Sequence, residues 1–265
     1  MGNNTTTAKP ALAVSLALSG GAAKGSFHLG FVQAMQENGI EIKAISGSSA
    51  GALVGGSLAC GMKPKEILDL FKSKEFRDIF RFNWFRKSLF YINLEARILE
   101  KIFPLRELQN TKIPFFACIT DMRSHEVIYA DKGEGTLLIA ASCGLIPFFK
   151  PIYYEQKVLA DGGIMNLMPT SPLLAYDYPI LGINLMPVSL PVKHSFFGLT
   201  QWALQLLFST NIDQDAPRCT WYISPKELGT IKMFSLHELQ KGFDLGYEQG
   251  LQWCKNTIGP HSLKV

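Results

Sequence analysis

Two short apolar runs, each followed at once by a glycine-rich turn and a helix-like pattern, constrain this chain more than any other feature. Residues 12–18 (LAVSLAL) lead into Ser19-Gly20-Gly21-Ala22-Ala23-Lys24-Gly25 and a periodic segment at 26–38. Residues 42–45 lead into Ser46-Gly47-Ser48-Ser49-Ala50-Gly51 and a small-residue pattern at 50–60. A mostly apolar run closed by a tight turn suits a strand buried on both faces of a sheet. Further strand-like runs stand at 115–120, 127–130, 158–160, 180–185 and 220–223, with helix-like patterns at 64–72, 94–102, 172–176 and 236–255. Strands alternating with helices require crossover connections, which predicts an α/β fold, a three-layer α/β/α sandwich with a mostly parallel central sheet. No repeat or Pro/Gly/Ser linker divides the 265 residues. The expected organisation is one domain over 11–256 between a flexible tail at 1–10 and a second tail at 257–265.

Composition narrows the function classes. A net charge of +4 is too mild for the clustered basic footprint of a nucleic-acid binder, so no nucleic-acid partner is expected. The cysteines, Cys60, Cys118, Cys143, Cys219 and Cys254, are odd in number and scattered, which suggests neither a disulfide framework nor a zinc cluster. A reducing, cytoplasmic compartment is expected, with the protein soluble or peripheral to a membrane. No run of 18 apolar residues occurs. Lys9 ahead of residues 11–18 imitates a secretory signal, but the same run reads better as the first strand. Gly2 with Thr6 matches a myristoylation pattern, and the plainer reading is a polar tail.

The second turn carries Gly47-x-Ser49-x-Gly51 between a strand and a helix. In a nucleophile elbow the serine sits on a strained turn, and small neighbours are needed because a side chain there would strike backbone. Ser49 is therefore the candidate nucleophile, with the helix N-terminus beneath it favouring developing negative charge. The alternative is an ordinary helix-capping turn. The first turn fails as a nucleotide loop: Lys24 precedes Gly25 where G-x-x-x-x-G-K-[ST] needs the reverse, and Ala22 occupies the middle glycine of G-x-G-x-x-G. It reads instead as an oxyanion hole made by backbone N–H groups at Gly20, Gly21 and Ala22, with Lys24 adding positive charge beside Gly25, or as a tight turn with a surface lysine.

A serine needs a base. His194, His237 and His261 follow Ser49 in chain order, but none sits in a turn-like motif. Asp161 follows the apolar run 158–160, and Gly162 and Gly163 free the backbone to bring its carboxylate to another loop. Partial desolvation would raise its pKa toward a useful range; the plain alternative is an Asp-Gly turn. No clustered acidic loop suggests calcium, and neither metal nor cofactor is implied.

Taken together, the segments at 16–35 and 45–56 (ISGSSAGALVGG) and at 160–169 (ADGGIMNLMP) resemble the patatin-like phospholipase family in order and spacing. Gly20, Gly21, Lys24, Gly25, His28 and Gly30 correspond to its glycine loop, with Ala22 in place of one glycine. Gly47, Ser49 and Gly51 correspond to its nucleophile motif, and Asp161, Gly162, Gly163, Asn166 and Pro169 to its aspartate motif. Ile119-Thr120-Asp121, Ala141-Ser142, Ile146-Pro147 and Pro151 also look similar, while Phe148 stands where a glycine often follows the proline. The resemblance, over residues 12–255, implies an α/β/α fold and a Ser49–Asp161 dyad without histidine, cleaving fatty-acyl esters of lipids through an acyl-enzyme. It assigns His28 to helix packing. The rival readings are a thioesterase or transacylase on the same dyad, and a catalytically idle membrane- or partner-binding protein.

Two stretches could meet lipid. Residues 76–91 (FRDIFRFNWFRKSLFY) interleave rings from Phe76 to Tyr91 with Arg77, Arg81, Arg86 and Lys87, which suits either a membrane interface or a helix with packed rings and snorkelling cations. Residues 195–208 (SFFGLTQWALQLLF) suit a lid, a cleft wall or a buried helix.

Overall fold

The computed structural model describes residues 12–82, 88, 90–187, 196–233 and 235–258. Ten strands are present among them: β1 (Leu12–Leu18), β2 (Ile40–Ser48), β3 (Phe80–Phe82), β4 (Phe90–Ile92), β5 (Phe115–Asp121), β6 (Glu126–Ala130), β7 (Ile152–Tyr154), β8 (Lys157–Asp161), β9 (Ile180–Ile183) and β10 (Trp221–Ile223). The helices are α1 (Ser26–Glu37), α2 (Ala50–Ala59), α3 (Pro64–Lys72), α4 (Lys74–Arg77), α5 (Ile98–Ile102), α6 (Gly135–Ser142), α7 (Phe196–Asp215) and α8 (Leu239–Ile258). The tail at 1–10 and the end of the chain beyond 258 lie outside the described residues.

The main sheet runs β10-β9-β1-β2-β5-β8-β7, with β6 on the far edge of β5, and β3 and β4 form a separate antiparallel hairpin. Strands β10, β9, β1, β2 and β5 are parallel, as the crossover argument requires; β6, β8 and β7 are antiparallel additions. Alternation along the strands feeds two cores. Val14, Leu16 and Leu18 of β1 and Phe115, Ala117 and Ile119 of β5 join the larger one, with residues of α1, α2, α3 and α8. Ala17 and Phe116 turn to the other face, where Leu167, Met168, Phe208 and Ile212 cover the sheet. Rings of Phe31 and Trp253, 5.7 Å apart, seat α8 against α1.

The register on β5 brings two distant strand ends together. Along one edge of β5, Phe115 to Cys118 pair with Ile45 to Ser48 of β2, and Ile119 to Asp121 pair antiparallel with Asp161 to Leu159 of β8. The opposite edge is paired with β6 from Ala117 to Asp121. β2 and β8 therefore meet end to end on β5, arriving from opposite directions.

Several expectations change. The periodic segment at 94–102 shortens to α5, and residues 172–176 form part of a 3-10 turn, Ser171–Ala175. Residues 76–91 are not one helix: α4 leads into the β3–β4 hairpin, and Arg86 and Lys87 lie outside the described residues. Phe76 is buried, its ring 4.8 Å from that of Phe71.

Candidate active site

β2 ends at Ser48, and the chain reverses into α2 at Ser49, whose φ of 54° and ψ of −121° lie where non-glycine residues are rare. The reversal is tight enough that a Cβ at Gly47 would stand 2.3 Å from the Gly51 carbonyl oxygen, and one at Gly51 would stand 2.1 Å from that of Leu18. The small residues on either side of the serine are thus steric necessities. Ser142, at the end of α6, holds the strained residue: its Oγ accepts from the Ser49 N–H at 2.9 Å and donates to the Cys118 carbonyl at 2.6 Å. The Cys143 thiol donates to the Ser49 carbonyl at 3.3 Å.

Asp161 ends β8, one register step along β5 from Ser48. Thr120 Oγ1 donates to its carbonyl at 2.9 Å, and its Oδ1 accepts the Gly163 N–H at 2.7 Å. Asp121 steadies the strand from behind, accepting the N–H groups of Arg123 at 3.0 Å and Val158 at 3.2 Å. The Asp161 side chain is buried within hydrogen-bonding reach of Ser49. Burial pushes its pKa up to about 7, against the opposing effects of the Ser49 hydroxyl and the Gly163 N–H, which favour the charged form. The pair thus joins a hydroxyl on a strained turn to a carboxyl that takes up and gives back a proton near neutral pH.

The glycine loop lies over this pair. Gly20 donates its N–H to the Leu167 carbonyl at 3.2 Å, tying the loop to the segment after Asp161. Ala23 and Lys24 donate to the carbonyls of Met233 and Gly21. Gly21 and Ala22 line the cleft, and their N–H groups take no part in these bonds. Ala22 sits at φ of 50°, the left-handed region that a glycine occupies more readily. Lys24 is not a surface lysine: it is buried, burial lowers its pKa, and it is not among the residues lining the cleft. Gly25 packs against α2 and lines the cleft floor.

Among the described residues no histidine lines the cleft. His28 is buried, and its Nε2 donates to the Ser19 carbonyl at 2.9 Å, with desolvation pushing its pKa down to about 4. It braces the loop from α1 as a neutral ring. His237 is exposed, and His194 and His261 lie outside the described residues.

A cavity of about 350 Å³ opens from Ser49 and Asp161. The rings of Phe71, Phe76, Phe90, Phe148, Phe149 and Phe208 line it together with Leu167, Met186, Met233, Leu236 and Leu239. Of these walls, Phe208 belongs to the stretch at 195–208 that suited a cleft wall, and Ser142 appeared only within the family resemblance; the sequence did not mark Asn211 as a site residue. Asn211 of α7 donates to the carbonyls of Ile164, at 3.1 Å, and Gly163, at 3.4 Å, so the helix grips the loop that follows Asp161. Among the described residues no group of three or more His, Cys, Asp or Glu could hold a metal ion.

Comparison with known proteins agrees with this architecture. A family model described as patatin-like phospholipase matches residues 16–174. An uncharacterized NTE family protein of Mycobacterium bovis is 32% identical over 163 residues, which are 60% of this chain and 45% of that protein. Lysophospholipase NTE1 of Scheffersomyces stipitis is 29% identical over 172 residues, 61% of this chain and 11% of that one. The chain thus spans less than half the length of these curated relatives. VipD from Legionella pneumophila superimposes with a TM-score of 0.58 over 92% of this chain and 67% of its own, at 15% identity, and so shares the fold. With the family model covering more than half of its residues, the chain belongs to the patatin-like phospholipase family.

Proposed function

We propose that this protein is a lipid acyl hydrolase that cleaves fatty-acyl esters through a Ser49–Asp161 dyad. The observation that carries the reading is the pairing of the Ser49 hydroxyl with a buried carboxyl, raised to about 7, at the mouth of an apolar cavity. Ser49 Oγ attacks the ester carbonyl carbon while its proton passes to Asp161. The carbonyl oxygen becomes negative facing the N–H groups of Gly21 and Ala22, which are fixed by the Gly20–Leu167 bond and need no rearrangement. Collapse of the tetrahedral species breaks the ester C–O bond, and Asp161 returns the proton to the leaving alcohol. Water then gives a proton to Asp161 as it attacks the acyl-serine, and collapse of the second tetrahedral species releases the fatty acid while Asp161 returns that proton to Ser49 Oγ. The hydrophobic walls suit an acyl chain, and the relationship to a lysophospholipase supports the substrate class.

A serine-directed fluorophosphonate tests the assignment. The label is expected on Ser49, with labelling and hydrolysis of a fatty-acyl ester both absent in Ser49→Ala. A label on another serine, or turnover retained in that variant, overturns it.

A further inference from the structure

Helix α7 carries an apolar stripe on its outer side. Leu199, Trp202, Ala203, Leu206 and Leu207 stand at i, i+3, i+4, i+7 and i+8, the spacing of a single helix face. That face normally packs on a core. Here its large members are open to solvent: Leu199 is 48% exposed, Trp202 37%, Leu206 46% and Leu207 62%. The opposite side of the same helix is buried through Phe208, Ile212 and Asp215. From 196 to 212 the sequence contains no charged residue. The loop that Asn211 grips adds Ile164 and Met165, both more than a third exposed.

We propose that this outward face of α7, with Ile164 and Met165, docks the protein on a lipid bilayer by inserting apolar side chains at the headgroup boundary. The choice of lipid as occupant rests on the acyl-ester reading above and on continuity with the cavity. Phe208, on the inner side of α7, lines the same cavity as Ser49, and Asn211 holds the loop after Asp161. A bilayer seated on α7 is then separated from the cleft by one helix, so an acyl chain reaches the cavity with little exposure to water. None of the described helices is long and apolar enough to cross a membrane, so the helix lies along the surface. Because its first four turns lack cations, docking depends on burial of apolar area and not on anionic headgroups.

The test uses the Ser49→Ala protein, so that binding is read without turnover and stands or falls apart from the assignment of the nucleophile. Cosedimentation with vesicles of phosphatidylcholine alone is expected, changing less than about twofold between 0.05 M and 0.5 M salt, where charge attraction would be largely screened. Leu199→Ser with Leu207→Ser is expected to weaken that partition at least tenfold, and lipids brominated in the acyl chain are expected to quench Trp202, read as the difference from Trp202→Phe. In the Ser49 background the same pair of substitutions should slow hydrolysis of vesicle lipid and spare a soluble short-chain ester. Unchanged binding by the double variant overturns the proposal. So does binding that needs phosphatidylserine and disappears at high salt. Conversion of a dimer to a monomer by the double variant, with vesicle binding intact, assigns the face to a second copy of the chain and also overturns it.

Discussion

Replacing Asp161 by Asn should stabilise the protein at alkaline pH while removing its activity. Burial holds the carboxyl at about 7 where an exposed one stands near 3.8. Between those values the folded chain keeps a proton that the unfolded chain has lost. Stability therefore falls as pH climbs from about 4 to about 7, and the whole penalty is present above that window. At about 1.4 kcal/mol per pKa unit the difference amounts to about 4 kcal/mol. Asn fills the same space, can still accept the Gly163 N–H, and does not ionise. Urea unfolding of both proteins from pH 4 to pH 9 checks this. The two should be nearly equally stable at pH 4, with the variant gaining on the wild type through neutrality to a lead of about 2–4 kcal/mol at pH 8. Other titrating groups act on both proteins alike and cancel in the difference. Parallel stability curves would refute the claim that a desolvated, ionisable Asp161 sits beside Ser49.

Activity on a soluble ester should rise with pH through about 7, following deprotonation of Asp161, and a flat profile from pH 5 to pH 8 would contradict its role as base. Ser49→Gly should abolish turnover yet raise stability by about 1 kcal/mol, because the φ of 54° no longer strains a side chain; thermal melting reads the change. Ser142→Ala should leave the Ser49 N–H without its acceptor, lowering kcat at least tenfold and costing about 1–3 kcal/mol in a denaturant titration. Gly47→Ala or Gly51→Ala, which would place a Cβ within 2.3 Å of backbone oxygen, should cost about 3 kcal/mol or more and show as lost soluble yield or a lowered Tm.

What could be read from the sequence followed the range of the interactions involved. β1 was legible because a strand buried on both faces is apolar throughout, and its end at Leu18 is announced by Gly20 and Gly21. β2 begins earlier than the run at 42–45 because Glu41 and Lys43 sit on its more open side and break the apolar pattern. α6, apolar all round and opened by Gly135 after Glu134, offered no periodicity to find. α7 could not be placed because an outward apolar stripe and a buried one are the same letters. The elbow and the Asp-Gly-Gly turn were legible since their requirements are local and steric. Ser142 was not: its bond to Ser49 spans 93 residues, and no local pattern marks a hydroxyl that serves a distant turn. Lys24, read as a cleft cation, is buried because the 3-10 turn Ala22–Gly25 points it inward.

The end-to-end meeting of β2 and β8 on one edge of β5 also dictates when during folding the site can exist. Ser49 and Asp161 belong to distant parts of the chain, and neither strand can find the other until β5 stands between them as a template. Closing so long a loop is entropically slow, and β8 has to arrive antiparallel on the edge of β5 opposite β6. During refolding, capture of an active-site label should therefore lag the helical signal and appear only with the last cooperative step. A folding chain in which β8 has not yet paired with β5 lacks the Asp161 carboxyl beside Ser49.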